Sequence, residues 1–121
     1  MPANIKVFRA QDFIRAQPDG SVSLGRTREL LAEIAAATTD LDEFDILIDA
    51  RRVKGAHTPN ELWTLAQELL KYRKTFERRT GLLVPFEKFD RATYFALCAE
   101  QKGFKIHVFT SYEDAMEWLL A

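Results

Sequence analysis

The segment Asp45-Ile46-Leu47-Ile48-Asp49 constrains the fold more than any other feature. It is a short apolar run stopped by an acid at each end, the way a strand buried in a parallel sheet reads. A parallel neighbour needs a crossover, and the sequence supplies one downstream in Thr58-Pro59-Asn60-Glu61. Thr58 suits the N-cap, Pro59 the first helical position, and Glu61 completes a capping box. A buried strand followed by a sharply started helix predicts βαβ units with right-handed crossovers.

The apolar period changes in the same manner along the rest of the chain. Residues near Asp12 to Ala16 suit a strand, preceded by another at Ile5 to Phe8. Pro18-Asp19-Gly20 is a turn signal. Ser23 caps a helix with Leu24, Leu30, Leu31, Ile34 and Ala35 on one stripe, and Gly25 near its start. The helix opened by Thr58 runs through Leu62, Leu65, Ala66, Leu69 and Tyr72 to Phe76. Arg78 and Arg79 lie near its negative end, and Gly81 closes it. Leu82-Leu83-Val84 follows as a strand.

A third helix spans about Asp90 to Lys102, with Ala92, Phe95, Cys98 and Ala99 on one face, and Gly103 stops it. Lys105 to Phe109 is the last strand. Thr110-Ser111-Tyr112-Glu113 forms a second capping box, opening a helix with Ala115, Met116 and Leu119 inward. The expected fold class is α/β, a mostly parallel sheet of four to five strands covered by about four helices. No linker or repeat divides residues 1–121, which read as one domain.

A chain of 121 residues buries roughly two-thirds of its unfolded surface, enough for a core without staples. The 17 basic and 18 acidic residues nearly cancel to −1, so global charge favours neither nucleic acid nor an anionic membrane. Cys98 is the single cysteine, which excludes an internal disulfide and suits a reducing compartment. No apolar stretch approaches the roughly 20 residues of a membrane span, so a soluble, cytoplasmic protein is expected.

Several stretches resemble one family. Phe89-Asp90-Arg91-Ala92 with Phe95, and Gly103-Phe104-Lys105-Ile106-His107-Val108-Phe109, are similar to the C-terminal half of SpoIIAA-like proteins. These are small relatives of the STAS domain (sulfate transporter and anti-sigma factor antagonist). The ending through Tyr112-Glu113-Asp114-Ala115-Met116-Glu117-Trp118-Leu119 resembles the family's closing F-x-x-x-E-x-A-x-x-W-L pattern. Gly20 to Leu24 and Ile46 to Asp49 fit the same plan, so the resemblance spans nearly the whole chain.

That resemblance implies a module that binds a protein, or a small apolar or phosphorylated ligand. Classical anti-sigma factor antagonists carry a phosphorylatable serine at a helix start, in an Asp-Ser-Ser-Gly-like segment. Here the matching stretch runs from Asp49 to Asn60 without Ser-Ser-Gly, and Thr58 is the hydroxyl nearest the helix start. Thr58 is therefore the candidate phosphorylation switch. Its role as an N-cap, with the capping box and Pro59, fully accounts for the residue and is the favoured reading.

Arg51, Arg52, Lys54 and His57 form a basic loop after the carboxyl end of a strand, where open α/β sheets bind ligands. The next helix start offers free N–H groups to an anion. With Thr58 and Trp63, this loop is the candidate partner- or ligand-binding surface. Trp63, Phe86, Phe89, Tyr94 and Phe95 could line an apolar pocket or a dimer surface, or belong to the core.

His57 and His107 lack the surrounding ligands of a metal site, and His107 points away from Ile106 and Val108. Cys98 reads as a buried small side chain, and Lys71, Arg73, Lys74, Arg78 and Arg79 as a solvated helical face. Neither a nucleotide-binding glycine motif nor a hydrolase motif is present. No catalytic residue, metal or cofactor is expected. The first reading is a non-catalytic interaction module binding a protein, with a homodimer open. The alternative is a carrier or sensor of a small lipid-like or anionic ligand at the basic loop; a small enzyme ranks below both.

Overall fold

The computed structural model describes residues 5–10 and 13–121, the side chains of 5–10 excepted. The expected strand start at Asp12 lies outside the described residues. The major strands are β1 (Ile5–Ala10), β2 (Phe13–Pro18), β4 (Asp45–Asp49), β6 (Arg79–Leu83) and β7 (Lys105–Phe109). Between them lie two-residue strands, β3 (Gly20–Ser21) and β5 (Val53–Lys54). The helices are α1 (Leu24–Ala37), α2 (Pro59–Glu68), α3 (Phe89–Glu100) and α4 (Tyr112–Leu119).

One sheet runs β1-β2-β4-β6-β7. β1 joins antiparallel to β2, and every later pairing in that sheet is parallel. β3 and β5 form a separate parallel pair. The chain is thus an α/β fold with a mostly parallel sheet and four helices among the described residues.

β4 shows why the sheet is covered on both faces. Alternation along a strand sends Ile46 and Ile48 one way and Asp45, Leu47 and Asp49 the other. Ile46 packs into the main core with Leu30, Leu31 and Ile34 of α1, Leu65 of α2, and Ala96 and Ala99 of α3. Leu47 packs into a smaller core with Phe13, Leu83, and Ala115 and Leu119 of α4. Three helices therefore cover one face and α4 the other. Each fully buried aliphatic side chain here contributes about 1.5–3 kcal/mol through removal from water.

The local start signals operate largely as read. Ser23 Oγ accepts from Arg26 N at 3.2 Å, capping α1. Thr58 Oγ1 accepts from Glu61 N at 3.2 Å while Glu61 Oε1 accepts from Thr58 N at 2.9 Å, closing the capping box. Gly103, with φ +94°, stops α3 in the left-handed region that suits glycine.

Several expectations are corrected. The α-helical part of the second helix ends at Glu68, and Leu69–Tyr72 continue as a 3₁₀ turn. In that tighter turn residues three apart eclipse, which keeps Leu69 and Tyr72 on the core side. The chain then bends so that Phe76 is buried, at 1% exposure, before β6 begins. Arg78 and Arg79 consequently belong to no helical face. Arg78 approaches Asp45 and Glu43, and Arg79 donates to Asp45 and to the Trp118 and Leu119 carbonyls of α4.

Gly81 closes no helix. It sits within β6, paired with Leu47 and His107. The last cap is displaced by one residue: Ser111 Oγ accepts from Asp114 N at 3.3 Å, so Ser111, not Thr110, caps α4. The third helix starts and ends slightly earlier than its apolar pattern suggests, at Phe89 and Glu100. No helix among the described residues is long and apolar enough to cross a membrane.

Candidate functional site

Each of β2, β4 and β6 hands the chain to a helix on the same face, so the starts of α1, α2 and α3 gather near the carboxyl ends of these strands. There the helices part and leave a cleft of about 170 Å³. Its floor is Ile48, Leu82 and Val84. Its walls include Leu30 and Leu31 of α1, Leu62 and Leu65 of α2, and Ala92 and Phe95 of α3. The loop after β4 supplies Val53, Gly55, Ala56 and His57 along one side. Gly55 takes φ +85°, and a Cβ on it would meet Val22 Cγ1 at 3.1 Å, so this loop closes tightly over the cleft.

Polar side chains line the cleft where the helices start. Arg26 comes from the first turn of α1, Lys88 from the N-cap of α3 and Arg91 from its first turn. Asp19 is the carboxylate among the lining residues. Lys88 Nζ donates to the Val53 carbonyl at 2.5 Å. Arg91 donates to the His57 carbonyl. These two bonds tie the loop after β4 to the start of α3.

His57 is held in place from two sides. Its Nε2 lies 2.8 Å from Thr27 Oγ1. Its Nδ1 is 3.6 Å from Glu61 Oε1, an ion-pair approach longer than a hydrogen bond, and has no hydrogen-bond partner. Burial pushes the His57 pKa below its ordinary value, and the Glu61 carboxylate opposes the shift without reversing it. A neutral ring with its proton on Nδ1, facing Glu61, lets the Thr27 hydroxyl donate to Nε2. Hydroxyl, imidazole and carboxylate thus stand in the order of a nucleophile, base and orienting group. Glu61 is already engaged by the Thr58 amide at 2.9 Å, and the 3.6 Å gap leaves the imidazole weakly polarised.

Of the six residues singled out in sequence, the structure brings His57 to the cleft lining; Arg51, Arg52, Lys54, Thr58 and Trp63 are not part of it. Arg51 turns to the α4 side and forms a two-pronged pair with Asp49, Nε to Oδ1 at 2.9 Å and Nη2 to Oδ2 at 2.8 Å. Burial pushes the Asp49 carboxyl up, but the hydrogen bonds and charge of Arg51, helped by Gln17, outweigh this and hold it at about 2. Arg15 also approaches Asp49 at 3.4 Å, and both guanidiniums lie over the Tyr112 ring.

Arg52 and Lys54 are exposed, and the Lys54 carbonyl accepts from Val22 N. Thr58 is exposed in its capping box. Trp63 is 50% exposed on α2, with Lys102 Nζ 5.8 Å from its ring centre. Among the other aromatics, Phe95 lines the cleft, whereas Phe86 is 84% exposed. His107 is exposed and stacks on Trp118 at 4.5 Å, and Cys98 is buried. Among the described residues no group of three or more His, Cys, Asp or Glu could hold a metal ion.

Sequence reasoning missed Arg26, Thr27, Lys88 and Arg91. A signal existed. Cations are disfavoured near the positive end of a helix, yet Arg26 and Arg91 sit in first turns and Lys88 at an N-cap. Residues that break a local rule mark sites more often than regular ones do.

No protein-family model matches the chain, and no curated protein matches it. Solved structures do. One is a DUF3478-family protein with a SpoIIAA-like fold from Shewanella loihica PV-4, with a TM-score of 0.64 and 20% identity over 98% of this chain and 94% of that one. Another is an anti-sigma factor antagonist from Mycobacterium paratuberculosis, with a TM-score of 0.66 and 18% identity over 98% and 94%. The chain therefore has a SpoIIAA-like, STAS-type fold, in agreement with the resemblance read from its sequence.

Proposed function

We propose that this chain is a non-catalytic binding module whose cleft takes a small, largely apolar molecule. The apolar cleft at the carboxyl ends of β4 and β6 carries this reading, because open α/β sheets bind their ligands at that place. The walls are aliphatic and aromatic, so binding draws mainly on burial of the ligand's own apolar surface. Native mass spectra of gently purified protein test it. A bound molecule that a Phe substitution at Ala92 excludes supports the reading; a cleft that stays empty, with no thermal shift across a lipid panel, sinks it.

A second reading is favoured by one observation, the similarity to a structure described as an anti-sigma factor antagonist. In that reading the chain binds a protein through the surface from Arg51 to Trp63, where Thr58 is exposed and Trp63 half-exposed. A phosphate on Thr58 would place negative charge beside the Glu61 carboxylate and strain the capping box. Unchanged partner binding in Thr58→Glu and Arg51→Ala would count against this surface.

A further inference from the structure

We infer that the molecule in the cleft is an amphiphile with an anionic head group, its chain among the aliphatic walls and its oxyanion at Lys88 and Arg91. This rests on the cleft being a ligand site, and adds which chemical class it takes.

Lys88 and Arg91 both line the cleft, and each bonds to a neutral backbone carbonyl, of Val53 and His57 respectively. Neither forms an ion pair among the described residues. Glu87 and Asp90, exposed on the same stretch of chain, lie outside ion-pair distance of both. A carbonyl satisfies a hydrogen-bond donor without cancelling its charge. Asp19 is the one carboxylate among the lining residues, and neither Lys88 nor Arg91 pairs with it.

The helices add to the imbalance. α1, α2 and α3 all begin beside the cleft, and a helix start carries roughly half a positive charge. Cations at such positions are locally unfavourable, and an anion is what relieves them. Inward from these cations, the cavity wall is aliphatic from Leu31 to Leu65. A free anion would leave that apolar volume unused, and a neutral hydrocarbon would leave Lys88 and Arg91 without an oxyanion partner. One molecule with a chain and an oxyanion answers both.

The test is calorimetric titration of the full chain, below micellar concentrations, with decanoate, decyl phosphate, decanol, decyltrimethylammonium and inorganic phosphate. The two anionic amphiphiles should bind on the order of tenfold or more tighter than decanol, as charge-assisted hydrogen bonds would give. Tighter binding of decyl phosphate than of decanoate assigns a phosphate head; the reverse assigns a carboxylate. In the double variant Lys88→Met, Arg91→Met the preference should vanish while decanol still binds, which also reports that the variant is folded. Lys88→Arg with Arg91→Lys should keep it.

Equal binding of decanol and decanoate overturns the head-group assignment and leaves the cleft reading standing. A preference that survives the Met variant overturns the roles of Lys88 and Arg91. Inorganic phosphate binding as tightly as decyl phosphate overturns the amphiphile. Failure of every decyl compound overturns the cleft reading itself.

Discussion

At the carboxyl ends of the strands the two faces of the sheet treat their cations differently. On the α4 face, Arg51 and Arg15 converge on Asp49, a carboxylate 4% exposed. The pair neutralises charge that would otherwise be buried alone, and it leaves Arg51 committed to the protein's own structure. On the face covered by α1, α2 and α3, Lys88 and Arg91 hold the loop after β4 through carbonyl oxygens. Each donates to a neutral carbonyl, and among the described residues neither has an ion-pair partner. The lesson is that a basic residue near a strand end is already spoken for when a carboxylate has claimed it, and chain order does not show which ones are.

The largest expected effect breaks the compensated side. Asp49→Asn removes the partner of a buried pair and should cost roughly 3 kcal/mol, measured by urea unfolding at neutral pH. Because Asp49 is held at about 2 against an ordinary 3.8, its contribution is fully present above the ordinary value and lost as pH falls through 2. The gap between wild type and Asn variant should therefore close between those pH values. A constant gap would mean that the pair's charge contributes nothing.

The next effect blocks the open side. Ala92 is 7% exposed and lines the cleft, so Ala92→Phe should fill it. Affinity for a decyl chain should fall about tenfold or more, equivalent to about 1.4 kcal/mol, while cooperative unfolding persists. A folded variant that binds undiminished would move the site elsewhere.

A smaller effect sharpens the role of His57. Its folded pKa is lowered, so the fold prefers the neutral ring and the unfolded chain binds the proton more readily. Stability should be greatest above the ordinary 6.5 and decline as pH drops through that value. His57→Gln should flatten the profile. A wild-type curve with no slope there would show that burial does not bias the ring.

The smallest effect concerns neither site. Gly81 has ordinary backbone geometry, and an added Cβ would meet Leu47, Phe109 and Leu119 at 3.5–3.7 Å. Gly81→Ala should be neutral or stabilise by up to about 1 kcal/mol, through reduced unfolded-chain entropy, as a thermal melt would show.

Much of the fold was legible because its signals are local. The run from Asp45 to Asp49 became the central strand, and Thr58 to Glu61 became the capping box. Both depend on residues within a few positions of one another. The end of the second helix was not legible, since Leu69, Tyr72 and Phe76 keep a helical spacing that the return of the chain to β6 interrupts. For the site, chain order grouped Arg51, Arg52, Lys54 and His57 in one loop, and His57 joined the cleft lining without the other three. Strand and loop send neighbouring side chains to opposite faces, so proximity in sequence did not become proximity in space.

By itself, then, the sequence determined the alternation of strands and helices, the helix starts and the class of the fold. Those follow from apolar period and capping chemistry, which act over a few residues. Which cations stay uncompensated was decided only in three dimensions. Asp49 reached Arg51 locally and Arg15 across the sheet, whereas Lys88 and Arg91 of α3 reached the carbonyls of the loop after β4. Charge compensation depends on distances between elements, and those are set by how the helices pack on the sheet.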